Sequence, residues 1–206
     1  LQTDPPDQNV INEPNQFDHY MRNTLYWKNN QEIAKNLSDI LLYGLFVGSV
    51  PITPMLSKNH YLDYLLNNLE ILSINGIVTN FFKHTVKRKR PYLHYGTIPE
   101  NDDSFRSFFS GHTSSSFAIG TATALTLIKN TNYNKKYIWM SIYSIAALNG
   151  YLRIAADRHY TTDVITGAVI GSAIGFYISK KNFLKLKDDQ ASITFNRNQI
   201  RINWRL

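Results

Sequence analysis

Three stretches of this sequence hold side chains able to do chemistry on an anion. The first is Lys83-His-Thr-Val-Lys-Arg-Lys-Arg90-Pro91 and the second is Ser110-Gly111-His112. The third carries Arg153, then His159, then Asp163. Together they supply cations to hold a phosphate, a histidine able to attack it, and a second histidine able to protonate what leaves.

His159 and Asp163 are four apart, so they share one face if a helix begins there. A carboxylate so placed takes the proton of one imidazole nitrogen and leaves the other basic and aimed. The plainer reading of Asp163 is an anion favoured at a helix start. Ser110-Gly111 at the start of a helix offers a cap and free backbone N–H groups, an anion site reinforced by the helix dipole. The plainer reading there is a cap with His112 as a bystander. Lys83 and Arg90 are seven apart, which on one helix is two turns and one face, with Lys87 close by. Taken alone, that run reads equally as a solvated basic face or a footprint for nucleic acid or anionic lipid.

The elements that must position these groups are helical. Residues 1–16 are polar and rich in Pro, Asp and Asn, and read as an arm. Residues 17–190 read as a single-domain bundle of about six helices, and 191–206 as a small C-terminal β-hairpin tail, so the class is all-α. The expected helices are Phe17 to Trp27, Ala34 to Val50 (ended by Pro51 and Pro54), one from Ser57 or Asn59 to near Arg90, Ser110 to Lys129, Tyr137 to Ala155, and Thr161 to Lys180. Leu62, Leu65, Leu69 and Leu72 mark the apolar stripe of the third. Residues 92–109 form a polar loop long enough to suggest function. Alternation of Ile193 and Phe195, then Ile200, Ile202, Trp204 and Leu206, suggests the hairpin.

Two stripes of small residues run away from the reactive ends: Ser116, Gly120 and Ala124 after His112, and Gly167, Gly171 and Gly175 after Asp163. Facing stripes let two backbones approach closely. They would bring His112, His159 and Asp163 together, with both helix N-termini aimed at one anion.

Bulk properties set limits. The chain has 206 residues, enough for one domain with a real core. A hydrophobic share of 43% argues against disorder. A formal charge of +7 and a pI near 9.5 favour anionic partners. With no cysteine there is neither a disulfide framework nor a thiolate metal site. The apolar runs Ile40 to Val50, Tyr137 to Leu152 and Val164 to Ser179 are shorter than the ~20 residues a membrane span needs, and the mean hydropathy is −0.28. Buried helices of a soluble bundle are therefore expected, compatible with peripheral contact with an anionic membrane. A chain opening Leu-Gln-Thr-Asp-Pro-Pro is explained by a removed signal peptide, which would place it in the periplasm or cell envelope, and equally by trimming.

The three stretches resemble the signature of the type-2 phosphatidic acid phosphatase superfamily, which includes bacterial class A acid phosphatases and vanadium haloperoxidases. Its pattern is Lys, six residues, Arg-Pro; then Pro-Ser-Gly-His; then Ser-Arg, five residues, His, three residues, Asp. Lys83 to Arg90-Pro91 matches in full. Ser110-Gly111-His112 matches with Phe109 in place of proline, and Arg153, His159 and Asp163 match with Leu152 in place of serine. Asp163-Val-Ile-Thr-Gly-Ala-Val-Ile-Gly171 is also similar to the family. The resemblance covers residues 83–171. Three ordered motifs at matching spacing are far more specific than any one.

The resemblance implies a helical bundle in which His159 attacks phosphorus to form a phosphohistidine and Asp163 orients it. His112 protonates the leaving oxygen and later helps activate water. Lys83, Arg90 and Arg153 bind the phosphate with Ser110 and the Gly111 N–H. No metal and no cofactor are implied. The expected function is a metal-independent phosphomonoesterase acting on a lipid phosphate or diphosphate or on a soluble phosphate ester. The alternatives are a vanadium-dependent haloperoxidase, for which the chain is short, and a non-catalytic basic module, which leaves His159 and Asp163 unexplained. No nucleic-acid partner is expected. His19, His60, His84 and His94 read as surface or loop residues, with His94 and Tyr95 near the mouth of the site.

Overall fold

The structure, a computed structural model, describes residues 13–57, 60–188, 191–196 and 199–204, with side chains described as far as Leu184. The helices are α1 (Gln16–Leu25), α2 (Gln31–Val47), α3 (Tyr61–Val86), the single turn α4 (Pro91–His94), α5 (Gly111–Asn130), α6 (Lys135–Ala155) and α7 (Thr161–Asp188). Strands β1 (Ala191–Asn196) and β2 (Gln199–Trp204) pair antiparallel, with Ala191 opposite Trp204 and Asn196 opposite Gln199. The class is all-α, as the sequence predicts, with six long helices among the described residues. Most of the polar arm and the Asn59 helix start lie outside the described residues.

Helix α5 is the central post. Its N-cap is Ser110, whose Oγ accepts the Thr113 N–H at 3.4 Å. It buries small side chains along most of its length, including Ser114, Ser116, Ala118, Gly120, Ala122 and Ala124. Against α7 the approach is close enough to need glycine. A Cβ at Gly167, Gly171 or Gly175 would stand 2.7 Å from the Ser110 carbonyl oxygen, 2.1 Å from that of Ser114, and 2.3 Å from that of Ala118. The glycine stripe therefore does what its spacing predicts, but its partner on α5 is Ser110, Ser114 and Ala118. The expected Ser116, Gly120 and Ala124 face turns to α6 instead. There Ser116 accepts from Asn149 at 2.7 Å, a Cβ on Gly120 would lie 2.9 Å from Ile142 Cγ2, and Ala124 packs with Ile138 and Ile142. Both faces carry small residues at i, i+4, so spacing alone does not choose between them.

Helix α3 reverses the expected orientation. It buries Tyr64, Asn67, Asn68, Ile71, Asn75 and Thr79, and exposes Leu62, Leu66, Leu69, Ile77 and Phe81. The buried amides bond between helices: Asn68 Nδ2 donates to the Ser49 carbonyl at 2.8 Å, and Asn75 exchanges hydrogen bonds with Ser114 and Ser115. Helix α2 does the same, burying Ala34 and Ser38 while Ile33, Leu37, Ile40, Tyr43 and Val47 point outward.

The prolines do not end α2. Its path continues through a π-turn at Gly48–Ile52, holding Pro51, and a 3₁₀ turn at Thr53–Leu56. The wider turn makes room for a ring that would clash in α geometry. Gln31–Leu56 is thus 26 residues of continuous helical path, and Thr161–Leu184 is 24; both are long and apolar enough to cross a membrane. The sequence reading stopped each run at its first proline or charge and so fell short of this length.

Candidate active site

Helix α3 ends at Val86, and Lys87 takes a left-handed φ of 49°. Lys83 therefore projects from the last turn of a helix while Arg90 arrives on the following loop, and the expected common helical face does not exist. Arg90 is 2% exposed and tightly held. Its Nε donates to the Asp103 carbonyl and its Nη1 to the Arg158 carbonyl, each at 2.8 Å, and its Nη2 pairs with the Asp103 carboxylate at 2.5 Å. The same Nη1 lies 3.3 Å from His159 Nε2.

His159 sits between α6 and α7, almost fully buried. Its Nδ1 is 2.7 Å from the Ser107 carbonyl, which only accepts, so Nδ1 carries the proton and Nε2 the lone pair. Burial, then the charges of Arg90, Arg153, Lys83 and His112, push its pKa well below the ordinary histidine range. The ring is neutral, with its Nε2 lone pair turned toward the Arg90 guanidinium.

Asp163 does not make the direct bond to His159 that the i, i+4 spacing predicts. Its Oδ2 stands 3.8 Å from His159 Nδ1 and instead accepts from Ser107 Oγ at 2.5 Å and from the Tyr160 N–H at 3.0 Å. Its Oδ1 accepts from Arg88 Nη1 at 2.5 Å. Ser107 is thus the link, donating its hydroxyl to Asp163 and accepting from His159 through its carbonyl. The Asp163 carbonyl also accepts the Ser110 N–H at 3.1 Å, tying the starts of α5 and α7 together.

Behind this pair, Arg88 reaches Asp18 of α1 at 2.8 Å and stacks over the Tyr160 ring at 4.3 Å. Asp18 accepts from the Thr162 N–H and hydroxyl at 2.9 and 2.7 Å. Arg22 forms a two-pronged pair with Asp157, both contacts 2.8 Å, which latches α1 beside the α6–α7 turn. Tyr95 and His94 belong to this latch: Tyr95 meets His19 at 2.8 Å and lies under the Arg22 guanidinium.

On the opposite side α2 closes the site. Arg153 is 6% exposed; its Nη1 donates to Ser38 Oγ at 3.0 Å and lies 3.5 Å from Asp39 Oδ1, and its buried Nε has no hydrogen-bond partner among the described residues. His112 Nε2 meets Asp39 Oδ1 at 2.7 Å. Burial, chiefly, and the Arg153 charge bring the pKa of His112 down to about 4, against the pull of Asp39. The Lys83 ammonium lies 3.6 Å from where a Cβ of Gly111 would be, an ordinary contact, while Thr79 Cγ2 at 3.2 Å would be the tighter neighbour.

All eight residues singled out from the sequence (Lys83, Arg90, Ser110, Gly111, His112, Arg153, His159 and Asp163) fall at one end of the α5–α7 pair. Ser110 is wholly buried and its Oγ accepts from both the Thr113 N–H and hydroxyl, so its visible work is capping. The two departures from the motif pack against apolar neighbours. Phe109 is buried against Phe82, with ring centroids 5.6 Å apart, and Leu152 packs with Ala34, Ala155 and Ala156. Sequence reasoning missed Asp18, Ser38, Asp39, Arg88 and Ser107 as parts of the site. The clearest signal was Ser38-Asp39, a polar pair at the edge of the apolar run Ile40 to Val50.

Comparison with known proteins places the chain among phosphatases. The lipid A 4'-phosphatase of Porphyromonas gingivalis is 30% identical over 118 residues, covering 54% of this chain and 48% of that protein. A probable diacylglycerol pyrophosphate phosphatase of Schizosaccharomyces pombe is 35% identical over 110 residues, covering 48% of this chain and 39% of that protein. The chain thus spans half or less of the length of these relatives. The crystal structure of a transmembrane PAP2 type phosphatidylglycerolphosphate phosphatase from Bacillus subtilis shares the fold, with a TM-score of 0.51 and 21% identity over 92% of this chain and 82% of that one. The PAP2 superfamily model matches residues 64–186, a range that contains all eight of those residues, and the chain belongs to the PAP2 superfamily.

Proposed function

We propose that this chain is a lipid phosphatase that removes a terminal phosphate from a lipid phosphate or diphosphate through a phosphohistidine on His159. The observation that carries the reading is the His159 ring. Its Nε2 lone pair stands 3.3 Å from the Arg90 guanidinium, and Arg153, Lys83 and His112 act on the same ring. A phosphate held among these cations places phosphorus within reach of Nε2. The Nε2 pair forms the N–P bond while the bond to the leaving oxygen breaks, and His112 gives that oxygen a proton. Water then attacks phosphorus, His112 takes its proton, and the N–P electron pair returns to His159. The cations and the paired helix starts stabilise charge on the transferring group, and no metal is needed for either step.

The lipid half of the proposal rests on α2 and α3. Leucine, isoleucine and phenylalanine outside with asparagine inside is the pattern of helices surrounded by hydrocarbon and joined by polar side chains. Gln31–Leu56 and Thr161–Leu184 have the length to cross a bilayer. The chain then works within a membrane of the cell envelope. The two relatives named above, both phosphatases of lipids by name, support this substrate class.

The test is phosphate release, with chelator present, from phosphatidic acid, diacylglycerol pyrophosphate, lipid A and soluble sugar phosphates, by the native chain and by His159→Ala. Release from lipids by the native chain alone is expected. Turnover that survives His159→Ala removes the nucleophile, and a preference for soluble esters removes the lipid.

A further inference from the structure

We propose that Asp39 is a positioning residue for this reaction, fixing the tautomer of His112 and stabilising its imidazolium so that Nδ1 is the atom that exchanges the proton. The inference rests on the phosphatase reading above and deepens it. The first observation is the contact: Asp39 Oδ1 lies 2.7 Å from His112 Nε2. A carboxylate accepts there, so Nε2 carries a proton in the neutral ring and Nδ1 is left to face the reacting oxygen.

The second observation is the company around His112. Arg153 from α6 and Lys83 from α3 oppose a second positive charge on it, and the neutral His159 stands nearby. Asp39 from α2 is the anion acting the other way. Without it, His112 would have to become cationic between two cations with no negative partner beyond the substrate.

The third observation is place. Asp39 lies on the 26-residue apolar path Gln31–Leu56. A carboxylate in such a segment is costly and calls for a partner and a reason. Arg153 supplies an ion pair at 3.5 Å, and His112 makes the shorter contact with the same oxygen, at 2.7 Å. Asp39 and His112 are about a third exposed, at 33% and 29%, so the pair opens toward the site and is not sealed in the core.

Asp39→Asn separates charge from shape, because the amide oxygen still accepts the Nε2 proton. Two substrates are compared. An alkyl phosphate needs its leaving oxygen protonated, whereas 4-nitrophenyl phosphate leaves as a stable phenolate. Expected for Asp39→Asn is a fall of about 100-fold in kcat/KM on the alkyl phosphate, the lower range for loss of a general acid, less than about 10-fold on the aryl phosphate, and a basic pH limb moved to lower pH. Equal losses on both substrates would mean a structural role, and an unchanged alkyl rate would mean none. The native protein gives an independent check by ¹⁵N NMR of labelled histidine in micelles. His112 protonated at Nε2 is expected; protonation at Nδ1 alone overturns the proposal even if the variant does not fold. Should the native chain hydrolyse neither substrate in a His159-dependent way, the phosphatase reading falls and takes this inference with it. Should it do so with Asp39→Asn indistinguishable from native, the inference falls alone.

Discussion

His159 hands its Nδ1 proton to the Ser107 carbonyl at 2.7 Å, while the Asp163 carboxylate stands 3.8 Å away from the same nitrogen. The carboxylate acts at one remove. It fixes Ser107 through a 2.5 Å hydroxyl contact, and Ser107 fixes the ring.

Ser107→Ala is therefore expected to be milder than Asp163→Asn. The alanine keeps the backbone carbonyl that holds His159, whereas the asparagine weakens the hold on Ser107, the Tyr160 N–H and Arg88 together. Losses in kcat of about 10-fold and about 100-fold respectively are expected, the range for partners that orient a reacting imidazole, with little change in KM. Steady-state rates on one lipid phosphate check the ranking.

Arg88 bridges two carboxylates that are fully buried, Asp18 and Asp163, at 2.8 and 2.5 Å. Arg88→Ala leaves both without their cation, a change that costs about 3–5 kcal/mol when a buried pair is broken. A lower unfolding midpoint in detergent and loss of activity are expected. Adding Asp18→Asn should recover part of the midpoint, since one of the stranded charges is gone.

Gly171→Ala puts a methyl 2.1 Å from the Ser114 carbonyl oxygen, so α5 and α7 must separate. A drop in folded yield and in activity is expected. Gly44→Ala in α2 meets nothing within 4 Å. There the better helix propensity of alanine, about 1 kcal/mol, leaves the protein as stable as before or slightly more so. Thermal unfolding of the two variants side by side tests the contrast.

The pH dependence follows from two histidines whose pKa values are both depressed. His159 must be neutral to attack, and burial with the neighbouring Arg90 charge keeps it so well into the acid range. His112 must be protonated to act as the acid, and burial with the Arg153 charge brings it to about 4 in the free protein. The sign is that kcat/KM declines as pH rises past the His112 value. A bound phosphate brings negative charge that favours the imidazolium, so the matching limb of kcat lies at higher pH. Coincident limbs in the two profiles would show that the substrate phosphate does not act on His112.

The helical class and the candidate residues that the structure brings together are legible in the sequence because each is written locally. Spacing marks Lys83 and Arg90, the cap marks Ser110, and i, i+4 marks His159 and Asp163. What is not legible is what faces what. Two small-residue stripes on α5 were equally good partners for the α7 glycines, and the backbone chose Ser114 over Ser116. The leucines of α3 look like a core stripe under the rule that apolar residues go inside. Asn67, Asn68 and Asn75 take that place because their partners, such as Ser49, Ser114 and Ser179, come from other helices. Ser107 and Asp39 belong to the site through contacts with residues 52 and 73 positions away; Ser107 has no local pattern to announce it, and Asp39 has only its place beside Ser38 at the edge of an apolar run.

The glycine contacts between α5 and α7 have a mechanical consequence. With carbonyl oxygens pressed where side chains would otherwise stand, the two helices behave as one beam, and His112 and Asp163 ride on the same end of it. The spacing between His112 and Asp163 is then a dimension of the scaffold, and His159, in the turn before α7, is tied to it through Ser107. Arg90 and Asp39 reach that end from separate supports, the loop after α3 and the flank of α2. Movement of those two supports would reshape the space between the cations while the His112 to Asp163 distance stays the same.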